Sequence, residues 1–226
     1  MQIGFVAYDG LTALDLIGPL EVLSRVPGTD VEVVASQPGT LTSDNGALQL
    51  VASRHLAEMP DPDVIVVPGG VGGTWQAMQD APLLSWLRSA AAGARWVTSV
   101  CTGAHVLGAA GLLAGRRATT HWAVLRELEA HGAIPTAQRV VIDGNVATAA
   151  GVSAGIDLAL WLAGELAGAD VARTIQLLLE YDPEPPFDAG SPDKAGPELQ
   201  EVGRRLLFGA TGAAANSRST SGTSAR

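Results

Sequence analysis

The stretch WVTSVCTGAHVLGAAG, from Trp96 to Gly111, decides the fold. Its first five residues are an apolar, β-branched run of strand length. From Gly103 onward, small and apolar residues follow helical spacing instead, so the period changes at Cys101 and places it on the turn between strand and helix. Outward from there the same alternation recurs. IGFVAY (3–8), VEVVAS (31–36) and DVIVVPGG (63–70) have strand length. Several of them are apolar on successive residues, as strands covered on both faces are. LDLIGPLEVLSRV (14–26), WQAMQDAPLLSWLRSAAAGA (75–94) and GAHVLGAAGLLAG (103–115) read as helices. Such alternation predicts a doubly wound α/β sandwich, with a mostly parallel central sheet and helices on both faces.

Further along, RVVIDGNVATAAG (139–151) holds two β-type runs around Asp143-Gly144-Asn145 and predicts a small hairpin. VSAGIDLALWLAGELAG (152–168) and ADVARTIQLLLEY (169–181) read as two helices separated near Gly168. After Tyr181 the Pro-rich DPEPPFDAGSPD (182–193) reads as an ordered loop or an arm against a neighbour. The expected organisation is a single domain over 1–207 and a disordered tail over 208–226, with no room for a DNA-binding helix-turn-helix.

Composition narrows the function. Fourteen basic against 23 acidic residues give a net charge of −9, which lacks the basic face that nucleic acid binding requires. One cysteine forbids an intrachain disulfide and a multi-cysteine metal site. No apolar run is long enough to span a bilayer, and no basic or cleavable apolar segment precedes Gln2. The expectation is a soluble cytoplasmic protein with a reduced thiol and no nucleic acid or membrane partner.

Three segments carry chemistry. Cys101 has either the nature of a small core residue or that of a nucleophile; a helix N-terminus beside it favours thiolate over thiol. Asp15, after the first strand, fits a capping box with Thr12 or an acid role in which burial keeps its proton. Glu21 competes for that acid role, and Gly18-Pro19 predicts a kink or early interruption of the same helix. In VIVVPGGVGGTW (64–75), Gly70 is an ordinary turn glycine or, with the Thr102 amide, an oxyanion-type donor. No Lys-Ser/Thr pair follows, so this is no phosphate loop. Of His55, His105, His121 and His131, only His121 is placed to visit Cys101, and a structural or dimer-contact role suits it better. His105, at i+4 from the cysteine, points one turn deeper. The sequence thus disfavours amide or peptide cleavage, which needs a group to protonate the leaving amine. The five tryptophans read as core or interface.

LDLIGPLEVL, VVPGG and SVCTGAHVLGAAGLLAGRRATTHW together resemble the DJ-1/PfpI superfamily, from about Gln2 to Asp193. Within it they are most similar to the isonitrile (isocyanide) hydratases, and LEYDPEPPFDAGSPD resembles that subgroup's late segment. The motif is shared with ligand-sensing domains of certain AraC-type regulators. The resemblance implies a flavodoxin-like fold, a homodimer and an isonitrile as small-molecule substrate, with no cofactor and no metal. It makes Cys101 the nucleophile, Asp15 the acid that hydrogen-bonds it, Thr102 the supplier of a hydroxyl and an N–H, and Gly70 the strand-end glycine. The implied reaction adds water to R–NC through a cysteine thioimidate, giving an N-substituted formamide. Alternatives are a non-enzymatic ligand- or redox-sensing domain, or a glyoxalase- or deglycase-type activity on small 2-oxoaldehydes. Two departures stand out: Asp15 where many members carry Glu, and Ala149 and Ala150 in a segment expected to be richer in glycine.

Overall fold

The structure, a computed structural model, describes residues 1–209. In chain order it comprises β1 (Gln2–Val6), α1 (Ala13–Leu23), β2 (Asp30–Ala35), β3 (Gly39–Thr42), β4 (Gln49–Ala52), β5 (Arg54–His55), β6 (Val64–Val67), α2 (Gly73–Ala77), α3 (Ala81–Ala91) and β7 (Trp96–Val100). There follow α4 (Gly103–Ala109), β8 (Arg117–Ala118), β9 (Ile134–Pro135), β10 (Val140–Asp143), β11 (Val146–Ala149), α5 (Ala154–Ala167), α6 (Ala169–Leu178) and α7 (Pro192–Phe208). The main sheet has seven strands in the order β10-β11-β7-β6-β1-β2-β5. Every pairing in it is parallel except the expected hairpin, β10 with β11.

Ile3, Phe5 and Val6 of β1 and all four residues of β6 are buried, which is why these strands are apolar on successive residues. α5 packs against both α1 and α6, and α2 and α3 pack with α4. The α1–α5 contact is close. A Cβ on Gly155 would lie 3.0 Å from both Val100 γ-methyl carbons and 3.2 Å from Pro19 Cγ. The residue before Cys101 is therefore wedged against α5. Pro19 stays inside α1 without ending it; its missing N–H leaves the Asp15 carbonyl without its usual i+4 donor.

Several features differ from the sequence reading. The single helix expected over 75–94 is two, because Asp80 caps a new start by accepting the Leu83 N–H at 3.0 Å, with Pro82 in the first turn. The β3–β4 hairpin and the two-residue strands β5, β8 and β9 are too short to carry a period. Among the described residues, 182–209 belong to a second compact unit. It contains α7, which the Pro-rich reading overlooked; Pro192 opens this helix, and its geometry breaks at Gly196, where φ is 75°. Phe208 closes α7, and the rest of the expected disordered tail, beyond Gly209, lies outside the described residues. Trp96 and Trp161 meet edge-on at 4.9 Å, and Trp86 Nε1 donates to the Met59 carbonyl at 2.8 Å, both inside the packed body. No helix among the described residues is long and apolar enough to cross a membrane.

Candidate active site

The chain reverses its winding direction between β1 and β6, and the loops leaving the carboxyl ends of β1, β6 and β7 meet beside that point, the usual place for a ligand in an open α/β sheet. The loop after β1 and the start of α1 bring Asp15; the loop after β6 brings Gly69 and Gly70; the turn after β7 brings Cys101 and Thr102.

Cys101 occupies the left-handed region at φ 55°, a conformation that costs a non-glycine residue about 1–2 kcal/mol. Three hydrogen bonds hold it there. Its N–H donates to the carbonyls of Ala149 (3.1 Å) and Ala150 (2.8 Å), and its own carbonyl accepts from Thr120 Oγ1 at 2.7 Å. The residue retains only 6% exposure, so the thiol is not in open solvent.

Asp15 is fully buried. Gly69 N–H donates to Oδ2 at 3.0 Å, Oδ1 has no hydrogen-bond partner, and the carboxyl faces the Cys101 thiol. Burial pushes its pKa up to about 7, against the opposing pull of the Gly69 N–H and the Cys101 thiol. Thr12 does sit at the N-cap of α1, but its hydroxyl donates to the Asp44 carboxylate and makes no cap, so the capping box is not formed. Glu21 is exposed and pairs with Arg25 at 2.7 Å. Asp15, not Glu21, is the acid at the cysteine.

The surroundings of the sulfur oppose the expected resting thiolate. Burial first, then the facing Asp15 carboxyl, raise the Cys101 pKa well above its ordinary value, and the Thr102 N–H and hydroxyl bonds to sulfur pull it only partly back. The seven-residue α4 does not outweigh desolvation.

Thr102 Oγ1 has three further neighbours: Gly70 N–H donates to it at 2.9 Å, the Gly70 carbonyl lies at 3.2 Å and Thr74 Oγ1 at 2.7 Å. The Gly70 amide, expected to face a substrate, is thus occupied by the Thr102 hydroxyl, because Thr102 turns its side chain inward toward α2. Gly69 is the closer glycine. A Cβ there would lie 2.6 Å from Thr102 N and 2.9 Å from Asp15 Oδ2, so the site closes only around a hydrogen.

His105 is buried between Trp75 and His131, with ring centroids at 5.3 and 5.5 Å. Burial lowers its pKa to about 4, so it stays neutral. His121 Nδ1 accepts the Ala123 N–H at 3.3 Å and caps the short 3-10 turn Trp122–Val124. Among the described residues, no three His, Cys, Asp or Glu side chains are grouped to hold a metal. The residues missed in the sequence are Tyr8, Thr74 and Thr120. Each is a lone hydroxyl in a loop or short helix, without a pattern to mark it.

Fold and site define a class: a parallel α/β sandwich whose one cysteine sits on a strained strand-to-helix turn opposite a buried carboxyl. The DJ-1/PfpI family model matches residues 1–165, and the chain belongs to that family. It is 50% identical to isonitrile hydratase of Pseudomonas putida over 205 residues, 91% of this chain and 89% of that protein. The crystal structure of a THiJ/PfpI family protein from Pseudomonas syringae superimposes with a TM-score of 0.88 at 40% identity, covering 91% of this chain and 85% of that one. DJ-1beta of Drosophila melanogaster shares the fold, with a TM-score of 0.72 at 24% identity over 79% of this chain and 97% of its own.

Proposed function

We propose that this chain is an isonitrile hydratase, converting R–NC and water to an N-substituted formamide. The observation that carries the reading is the coupled pair: a buried Asp15 with a pKa of about 7 against a thiol that burial keeps protonated. With one proton between them, the pair exists as thiol and carboxylate or as thiolate and carboxylic acid. Asp15 takes the thiol proton as Cys101 Sγ bonds to the isonitrile carbon. That carbon becomes basic as the C–S bond forms, and Asp15 returns the proton to it, giving the thioimidate R–N=CH–S–Cys101. Water loses a proton to Asp15 as it adds to the same carbon, and Asp15 passes that proton to nitrogen. Asp15 takes the hydroxyl proton of the tetrahedral adduct as the C–S bond breaks and returns it to the departing sulfur, so R–NH–CHO leaves with the thiol restored. No amine is expelled, so no imidazole is needed to protonate one. Thr102 steadies the sulfur through its N–H and hydroxyl. Gly70 acts through Thr102, in place of the direct oxyanion role expected of it.

The 50% identity to the Pseudomonas putida enzyme supports the choice of substrate class. A thiol held protonated is a poor peroxide sensor, since oxidation requires thiolate, which ranks the redox-sensing alternative lower. The reaction needs Cys101 reduced, which suits a cytoplasmic hydro-lyase, and the family resemblance supports a homodimer. The test is to follow an alkyl isonitrile and its formamide by NMR. The wild type converts one to the other, and Cys101→Ala falls to the uncatalysed rate. Full activity in that variant would end the covalent scheme.

A further inference from the structure

Behind Thr102 runs a line of three buried hydroxyls. Thr102 Oγ1 is 2.7 Å from Thr74 Oγ1, Thr74 Oγ1 is 3.3 Å from Tyr8 OH, and Tyr8 OH is 2.6 Å from the Pro68 carbonyl. Each hydroxyl carries a single proton, so the ends of the line fix its possible directions. The Pro68 carbonyl only accepts, so Tyr8 donates to it and can only accept from Thr74. At the other end the Gly70 N–H only donates, which fills one lone pair of Thr102 Oγ1.

Two arrangements remain. In the first, Thr102 donates to Thr74 and Thr74 to Tyr8, so the Thr102 proton points away from sulfur. In the second, Thr74 donates to Thr102. The Thr102 oxygen then accepts twice, and its own proton is left for Cys101 Sγ or for the Gly70 carbonyl at 3.2 Å. The first uses the long 3.3 Å contact, while the second leaves Tyr8 with nothing to accept. A charged sulfur favours the second, since hydrogen bonds to ions are the stronger ones. Passing between them takes only rotation about two C–O bonds.

We propose that Thr74, backed by Tyr8, is a positioning residue that sets the direction of the Thr102 hydroxyl and so decides whether Cys101 Sγ receives a second hydrogen bond beside that of the Thr102 N–H. The titratable groups that bear on this sulfur are Asp15 from α1 and Tyr8 after β1, the latter kept neutral by burial. The inference rests on Cys101 as nucleophile, as read above, and not on the identity of the substrate.

Because the chain has one cysteine, alkylation by iodoacetamide reports Cys101 alone. Thr74→Val removes the acceptor that draws the Thr102 proton away from sulfur in the first arrangement, leaving that proton only Sγ or the Gly70 carbonyl. One bond gained by a thiolate lowers the thiol by about one pH unit, and the accompanying loss of nucleophilicity leaves alkylation at pH 8 about threefold faster. Thr74→Ser restores the wild-type rate. Tyr8→Phe removes the competing acceptor, leaves Thr74 only Thr102 to donate to, and speeds alkylation about twofold. In a Thr102→Val background, Thr74→Val has no further effect. An unchanged or slower rate in Thr74→Val, or a threefold gain that persists in the Thr102→Val background, would overturn the proposal. Should Thr74→Val not fold, Tyr8→Phe decides: acceleration supports the proposal, and no change or slowing defeats it. No isonitrile enters this assay, so a chain that fails to hydrate isonitriles leaves its outcome intact.

Discussion

Asp15 and His105 are both buried, and desolvation favours the neutral form of each, which moves their pKa values in opposite directions. Burial raises the carboxyl to about 7 and lowers the imidazole to about 4. Only one of them belongs to the site. Asp15 faces a thiol with which it can exchange a proton near neutral pH. His105 faces Trp75 and His131, with Nε2 unpaired and away from the thiol. Burial makes a titratable group unusual; a reactive neighbour and a working pH that matches make it chemical.

The sharpest way to break this contrast is to remove each member. Asp15→Asn should lower kcat/KM for an alkyl isonitrile at least about a hundredfold, the ordinary scale of a general acid–base contribution. His105→Phe should keep it within a few fold of wild type. Equal losses would mean that burial, not pairing, is what matters. The pH profile comes next. Below about 7 the pair holds two protons and Asp15 can no longer act as base, so kcat/KM should fall about tenfold per unit on the acid side. His105→Phe should retain that limb, and Asp15→Asn should lose it.

Stability gives two smaller effects of opposite sign. The folded pKa of Asp15 lies above its unfolded value, so its contribution is fully present below about pH 4 and is lost as pH rises toward 7. Asp15→Asn should therefore be the more stable protein at pH 8, by roughly 2–4 kcal/mol in urea unfolding, with the difference closing toward pH 4. His105 lies below its unfolded value, so its stabilisation is present above about 6.5 and is lost as pH falls toward 4. In wild type the two slopes oppose each other. In His105→Phe the Asp15 slope should stand alone, with stability rising by roughly 1–3 kcal/mol from pH 7 to pH 5. A wild type with a steep acid slope would show that the two do not offset.

Most of the sheet was legible in the chain, since β1, β2, β6 and β7 are apolar runs that need no distant partner to be recognised. The turn at Cys101 was legible for the same reason: a strand period stops at Val100 and a helical one starts at Gly103. Asp15 was found as a candidate but with two roles open. The choice fell to Asp44, which takes the Thr12 hydroxyl and dissolves the capping box. Gly70 was misread because its partner, the Thr102 hydroxyl, lies 32 residues away. Thr74 and Tyr8 were invisible, as isolated hydroxyls carry no period and gain meaning only from one another. α7 was hidden by its prolines, one of which opens the helix.

From the sequence alone came the layered α/β architecture, the position of the single sulfur at a strand end, and the family, because these depend on local periodicity and short motifs. The protonation state of the pair came from the tertiary structure alone. It depends on how completely residues 15 and 101 are removed from water and on which donors reach them from residues 69 and 102. Desolvation is a property of the packed surroundings in three dimensions, and the order of residues along a chain does not contain it.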